Sequence, residues 1–256
     1  STVIDWVNRI KNQLEKFLSF EGENAATMAN NLDWTAPISA LTFLRDIGKH
    51  FSVNQMLSKD SVSSRLEAGG ISYTEFSYQV LQALDYLELY RRHHCVLQMG
   101  GSDQWGNIVA GLDLIRKVES GSGHALTIPL ITKSDGSKFG KTASGSVWLD
   151  AEMTSPYAFY QFWIGVDDSD VEKLLKVFSF KTHSEIDLLL ESLQSNPGAR
   201  EAHRALAFEL TALVHSEEEA LQAEAAAKAL FGQGELSQLS EKTLQSVLSQ
   251  LPRIAI

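Results

Sequence analysis

The sequence holds a single cysteine, Cys95, among its 256 residues. One thiol cannot make an intrachain disulfide framework or a cysteine-built zinc site, which excludes a disulfide-stapled secreted scaffold. Cys95 lies in the apolar stretch Cys95-Val96-Leu97 and reads as a buried, reduced thiol. Long apolar runs are also missing, and none approaches the roughly 20 residues that span a bilayer. Near the N-terminus Asp5, Arg9 and Lys11 interrupt any signal-peptide core. The expectation is a cytoplasmic protein with no membrane association. Basic residues are in deficit, with 22 Lys and Arg against 32 Asp and Glu and a net charge of −10. Non-specific nucleic-acid affinity comes from neutralising phosphates, so this balance leans against it but leaves room for a local basic patch reading a structured RNA. The seven histidines show no metal-ligand spacing; His93-His94 are adjacent and so on different helix faces. No protein-bound metal is expected. Repeats and low-complexity segments are absent too, the Ala-rich run 223–229 being simply good helix.

What is present is an ordinary globular composition, 44% hydrophobic and 21% charged, at a length that suits one large domain or two ordinary ones. Val3, Val7, Ile10, Leu14, Phe17 and Leu18 recur at helical spacing over residues 3–18. Residues 37–51 and 53–66 read as two more helices, stopped by Gly69-Gly70. Ser72-Tyr73-Thr74-Glu75 has capping-box spacing and opens a long helix to about His93. Two short apolar runs, 96–99 and 126–131, read as buried strands with a helix, 104–118, between them. That is a βαβ unit and a parallel sheet. From Thr154-Ser155-Pro156 onward only helical patterns follow, at 157–164, 168–178, 184–194, 198–215 and 217–231. The fold class expected is α/β with parallel strands followed by an all-α domain, divided near residue 150 into 1–150 and 151–256.

Three segments carry chemistry. Gly100-Gly101-Ser102-Asp103-Gln104-Trp105-Gly106-Asn107 sits where a strand ends and a helix begins, the place where open α/β sheets bind ligands. Its glycines let the backbone come close to a ligand, Asp103 can accept from a ribose and Gln104 can donate to a carboxylate. A plain helix-capping turn explains the segment equally well. Lys133 to Thr142 nearly matches a P-loop in Gly140-Lys141-Thr142, but Asp135 stands where the first glycine is required, and the continuation reads as loop rather than helix. A mobile clamp, with Lys138 and Lys141 stabilising charge on a leaving phosphate, fits better than a P-loop, beside the plainer reading of a solvated basic loop. Tyr78, Gln82 and Asp85, at i, i+4 and i+7, share one helix face. A phenol, an amide and a carboxylate aligned there point to a polar ligand pocket more than to an exposed face, since Phe76, Val80, Leu81, Leu84 and Tyr86 flank them.

These segments, with Phe43 to Phe51, Ser72 to Tyr78 and Thr154-Ser155-Pro156-Tyr157, resemble bacterial tyrosyl-tRNA synthetases from about residue 1 to at least residue 231. Lys138-Phe139-Gly140-Lys141-Thr142 is this family's form of the second signature of class I synthetases. The resemblance implies a Rossmann-like catalytic core, of which this is the second half, and roles position by position. Tyr78 and Gln82 match residues holding the amino group of tyrosine, and Asp85 the carboxylate that binds its phenol. Gln104 matches a contact to the substrate carboxylate and α-phosphate region, and Gly101 and Asp103 match ribose contacts. Lys138, Lys141 and Thr142 match the mobile loop that stabilises pyrophosphate. ATP with Mg²⁺, tRNA(Tyr) and a homodimer are implied as partners, with Tyr73 at the dimer interface and Arg116-Lys117 toward the acceptor arm. Lys173, Lys176, Arg200 and Arg204 are further phosphate candidates, for which a solvated face is the plainer reading.

The family's His-x-Gly-His signature occurs nowhere in the chain, and the partner that would share the substrate hydroxyl with Asp85 is absent with it. The sequence therefore reads as a piece lacking the first half of the catalytic fold and the C-terminal RNA-binding module. Little aminoacylation by this chain alone is expected, together with an exposed sheet edge. Two rivals remain: a non-catalytic relative that binds tRNA or protein, and a P-loop phosphotransferase.

Overall fold

The computed structural model describes residues 2–58, 62, 63, 66, 69–137, 139–142, 145–230, 234, 235, 237 and 239–250, with the backbone alone for Lys141, Thr142 and Gln250. In chain order the elements are α1 (Thr2–Leu14), α2 (Leu32–Thr35), α3 (Ala40–Thr42), α4 (Val53–Leu57), α5 (Tyr73–His93) and β1 (Leu97–Gly101). Then come α6 (Trp105–Glu119), β2 (His124–Ile128), β3 (Lys141–Thr142), β4 (Gly145–Ser146), α7 (Pro156–Ile164) and α8 (Asp168–Phe178). Last are α9 (His183–Ser195), α10 (Glu201–Val214), α11 (Glu217–Leu230) and α12 (Glu241–Gln250). Contacts group the residues into two compact units, Met28–Ile131 and Ser1–Thr27 with Thr132–Ile256.

In the unit Met28–Ile131, β1 and β2 pair in parallel from Leu97 opposite His124 to Gly101 opposite Ile128, with α6 as the crossover. The strands sit slightly away from the expected runs. β1 extends to take in both glycines, and β2 ends at Ile128 because Pro129 has no N–H to continue the ladder. Helix α5 starts on the capping box, Ser72 accepting from the Glu75 N–H while Glu75 reaches back to the Ser72 N–H. It ends at His94, whose left-handed φ of 52° closes the helix. Ala83, Leu84, Tyr86 and Leu87 of α5 pack with Leu114 and Ile115 of α6 in one core, each large side chain contributing about 1.5–3 kcal/mol on burial. Tyr86 is the hub of that core. Its hydroxyl donates to the His124 carbonyl at 2.8 Å, and a Cβ on Gly111 would stand 2.7 Å from its ring, so α6 needs glycine there.

One expected helix is altered. Residues 37–51 form α3, then a π turn over Phe43–Ile47 and a 3₁₀ turn over Gly48–His50, so the backbone winds differently while staying helical. Of the helix expected over 53–66, residues 53–57 form α4 and residues 62, 63 and 66 are helical, while 59–61, 64 and 65 lie outside the described residues. Cys95 is half-buried, not buried, because it lies in the link after α5 rather than in β1, its thiol donating to the Leu97 carbonyl at 3.5 Å. The strands carry exposed apolar side chains, with Met99 61% and Ile128 56% accessible.

The other unit is helical from residue 156 to residue 250 among the described residues. Pro156 occupies the first turn of α7, with Ser155 accepting from the Ala158 N–H. Helix α10 begins at Glu201, later than the pattern suggested, because Arg200 takes a left-handed φ of 48°. Phe159 and Trp163 of α7 lie within an aromatic nest, and the His215 ring meets Phe159 edge-on at 5.2 Å. Helix α1 lays out Val3, Ile4, Trp6, Val7 and Ile10 with none of its residues buried. No helix among the described residues is long and apolar enough to cross a membrane.

His215 Nε2 is buried without a partner among the described residues. Burial pushes the imidazole from its ordinary 6.5 down to about 4; Lys16 adds to this, Glu219 opposes it, and Lys242 and Asp150 act more weakly in those two senses. The unfolded chain takes up this proton near pH 6.5 and the folded chain only near 4, so acidification through that window favours unfolding. Denaturant titrations should show stability falling between pH 6.5 and 4, and His215→Phe should flatten that fall. An unchanged pH dependence in the variant would contradict the assignment.

Candidate functional site

The face of α5 bearing Tyr78, Gln82 and Asp85 runs from exposed to half-buried along the helix. Tyr78 is 59% accessible, whereas Asp85 is enclosed by the segment 30–35. The Trp34 indole N–H donates to Asp85 Oδ1 at 2.8 Å, and the Asn31 amide donates to Oδ2 at 3.3 Å. Trp34 is 4% accessible, and a buried indole N–H needs an acceptor. Asn30 shapes the turn into α2, its side-chain oxygen accepting from the Leu32 N–H at 3.0 Å. Both carboxylate oxygens thus have a fixed donor and retain lone pairs for another. Tyr78 and Gln82 have no side-chain hydrogen-bond partner among the described residues.

Asn31 and Trp34, which donate to the candidate residue Asp85, are residues that pattern reasoning missed. The available signal was chemical. A carboxylate on a largely apolar helix needs donors, and Asn30-Asn31-Leu32-Asp33-Trp34 concentrates two amides and an indole N–H in five residues.

At the end of β1 a 3₁₀ turn, Ser102–Gln104, leads into α6. The structure links three side chains there. Asn107 donates to Gln104 Oε1 at 3.2 Å, and Gln104 Nε2 donates to Asp103 Oδ2 at 3.1 Å. A Cβ on Gly101 would come within 2.6 Å of Asp103 Oδ1 and 2.9 Å of Leu130, so only glycine lets Asp103 fold back over the strand end. No described hydrogen bond joins this set to the Asp85 set.

Lys138 lies outside the described residues, and for Lys141 and Thr142 only the backbone is described. That backbone forms β3, which turns back antiparallel onto β4. The loop expected over 142–145 thus has both its ends, Thr142 and Gly145, paired in this hairpin, while residues 143 and 144 lie outside the described residues. A P-loop leads from Gly-Lys-Thr into a helix, so the hairpin removes that rival. Asp135 has a different use, accepting from the Ser137 N–H at 2.8 Å, and hydrogen bonds from the Ser137 hydroxyl and then its N–H hold the carboxyl below the usual range. Gly136 and Gly140 take φ of 80° and 81°, values that favour glycine. Between the two lysines Phe139 is anchored, its ring centroid 5.5 Å from those of Phe162 and Trp163 and 6.2 Å from that of Phe178.

The basic candidates are mostly engaged. Arg116 and Lys117 share Asp113 at 2.7 and 3.3 Å, and Lys117 also donates to the His50 carbonyl at 2.9 Å. Burial raises the Asp113 carboxyl, but its bonds to Arg116 and Lys117 bring it below the ordinary value. Lys173 donates to the Thr132 carbonyl, Lys176 pairs with Glu172, and Arg200 donates to the Ile164 and Val166 carbonyls. No cluster of three or more His, Cys, Asp or Glu arranged for a metal occurs among the described residues.

Residues 1–232 match the family described as class I tRNA synthetases (W and Y), and the chain belongs to that family. It is 61% identical over 257 aligned positions to the tyrosine–tRNA ligase of Streptomyces griseus subsp. griseus, and 59% identical to that of Streptomyces coelicolor. Each match covers the whole chain and 61% of the relative, so the chain spans about three fifths of the length of these enzymes. A C-terminally truncated mitochondrial tyrosyl-tRNA synthetase of Coccidioides posadasii superposes with a TM-score of 0.68 at 31% identity, over 84% of this chain and 64% of that one.

Trp34→Phe keeps the buried ring and removes the donor to Asp85. It should cost about 1–3 kcal/mol in thermal unfolding, and less when combined with Asp85→Ala. Fully additive effects of the two changes would show that the bond is not coupled as described.

Proposed function

We propose that this chain belongs to a tyrosine–tRNA ligase, which activates L-tyrosine with ATP and passes it to tRNA(Tyr). One observation supports the reading most: a half-buried carboxylate, Asp85, held by two donors, shares a helix face with a phenol and an amide that have no side-chain partner among the described residues. In this reading Asp85 accepts from the phenol of tyrosine, and Tyr78 and Gln82 hold its ammonium group. A site built to hydrogen-bond a substrate hydroxyl rejects the analogue lacking it by orders of magnitude, tyrosyl-tRNA synthetases being the standing example. Phenylalanine would leave Asp85 without its third partner.

The chemistry needs no enzyme nucleophile. The tyrosine carboxylate attacks the α-phosphorus of ATP, the bond to pyrophosphate breaks, and a ribose hydroxyl of tRNA(Tyr) then displaces AMP from the tyrosyl group. Gln104 orients the carboxylate and α-phosphate, while Gly101 and Asp103 receive the ribose. Lys138, Lys141 and Thr142 stabilise charge on the departing pyrophosphate. Mg²⁺ accompanies ATP and neutralises part of its charge, and no protein-bound metal takes part. Residues 1–150 carry the catalytic role and 151–256 an anticodon-side role. The protein acts in the cytoplasm as a homodimer with Tyr73, which is 73% accessible, at its interface. Arg116 and Lys117 meet the acceptor arm, Arg116 being the freer of the two, with 70% of its side chain accessible. The second reading, a non-catalytic relative binding tRNA or a protein, gains weight only if the activation step is absent.

The test is tyrosine-dependent ATP–pyrophosphate exchange in the product of the complete natural gene, with phenylalanine as control. Asp85→Ala should abolish tyrosine binding. Lys141→Ala should slow activation about 10²-fold while leaving tyrosine affinity within a fewfold of the parent. Equal damage to both steps by the lysine change would end the pyrophosphate-clamp role, and no exchange in the parent would favour the binding-module reading.

A further inference from the structure

Trp34, which holds Asp85, is itself held from the other side. The Arg92 guanidinium lies over the indole with its carbon 5.6 Å from the ring centroid, within the range where a cation is attracted by an aromatic face. Arg92 follows Asp85 by seven residues on α5, so both groups project from one side of the same helix. The indole is thus bonded at its edge and covered on its face by a single rigid element. The guanidinium is fixed in turn. Its Nε donates to Glu88 Oε2 at 2.7 Å, while Arg91 donates to Glu88 Oε1 at 2.8 Å and also pairs with Glu119 of α6. The Glu88 side chain is only 11% accessible. Burial pushes its carboxyl up, but the bonds from Arg91 and Arg92 outweigh this and keep it below the ordinary value.

We propose that Arg92, clamped by Glu88, is a specificity-determining positioning residue that acts through Trp34 on Asp85. The proposal rests on the reading of Asp85 as the group that accepts from the substrate phenol. Two effects carry it. An indole has one donor, and a modest swing of the ring takes that N–H off the carboxylate; a guanidinium packed on one face blocks the swing. A cation over the π face also draws electron density from the ring, which strengthens the N–H as a donor. Together they hold the Asp85 carboxylate in one orientation, and with it the lone pairs left for a substrate hydroxyl.

Arg92 also has a plain structural role. Basic side chains in the last turn of a helix complement its dipole, and Glu88 with Arg92 is a helical i, i+4 pair. That role would alter handling of every substrate alike. The positioning role predicts a selective loss. In the product of the complete natural gene, kcat/KM for tyrosine and for phenylalanine would be measured by ATP–pyrophosphate exchange, together with KM for ATP, in Arg92→Met and Arg92→Lys. The lysine variant keeps the charge and its pairing with Glu88 but lacks the planar stack, and it decides the matter if Arg92→Met does not fold. The tyrosine-over-phenylalanine ratio should fall about threefold to thirtyfold, through tyrosine, with KM for ATP unchanged. A ratio within twofold of the parent, or tyrosine and phenylalanine declining together while KM for ATP rises, overturns this proposal alone. A parent without tyrosine-dependent exchange overturns the reading of Asp85 as well.

Discussion

A carboxylate set part-way into an apolar core must be supplied with donors, because an unpaired buried charge is among the most costly things a fold can contain. Asp85 meets this condition by drawing in the segment 30–35, whose indole and amide reach its two oxygens. That demand ties a region distant in sequence to α5. It also explains why Trp34 joins the core cluster built on Ala83, Leu84 and Leu87. The same arrangement leaves the carboxylate preorganised, with its remaining lone pairs fixed before any ligand arrives. Preorganised polar groups of this kind discriminate more sharply than groups that must reorient on binding.

The strand end follows a comparable logic on a smaller scale. Close approach at Gly101 lets Asp103 fold back, Gln104 donates to it, and Asn107 in the first turn of α6 orients the Gln104 amide. The hairpin segment uses a third device. Gly136, with left-handed backbone, lies within the turn that Asp135 caps, Gly140 with the same backbone precedes β3, and Phe139 anchors the segment among aromatic rings of α7 and α8. In the first two places the chain fixes polar side chains through their neighbours, and in the third it fixes the backbone and one aromatic ring.

Much of this was legible from residue patterns, for physical reasons. The capping box at Ser72 and Glu75, the end of the long periodic run near His93, and the strand–helix–strand order are local or nearly local signals, and they appear where expected. The face of Tyr78, Gln82 and Asp85 follows from helical periodicity alone. Long-range partners were not legible: nothing in the spacing of Trp34 relative to Asp85 announces their bond, which depends on how the core closes. The π turn at Phe43–Ile47 also escaped, because packing overrides a periodic pattern that remains helical in character. The hairpin at Lys141–Thr142 and Gly145–Ser146 is too short to leave a strand signature.

We propose above all that Asp85 is the end of the pocket that reads a phenol. A crystal structure of the complete gene product with a non-hydrolysable tyrosyl-adenylate analogue tests it most directly. The account places the phenol oxygen within hydrogen-bond distance of Asp85, with Trp34 still donating to the other side of the carboxylate and the ammonium group beside Tyr78 and Gln82. A pose in which the phenol lies elsewhere, with Asp85 occupied only by Trp34 and Asn31, would contradict it.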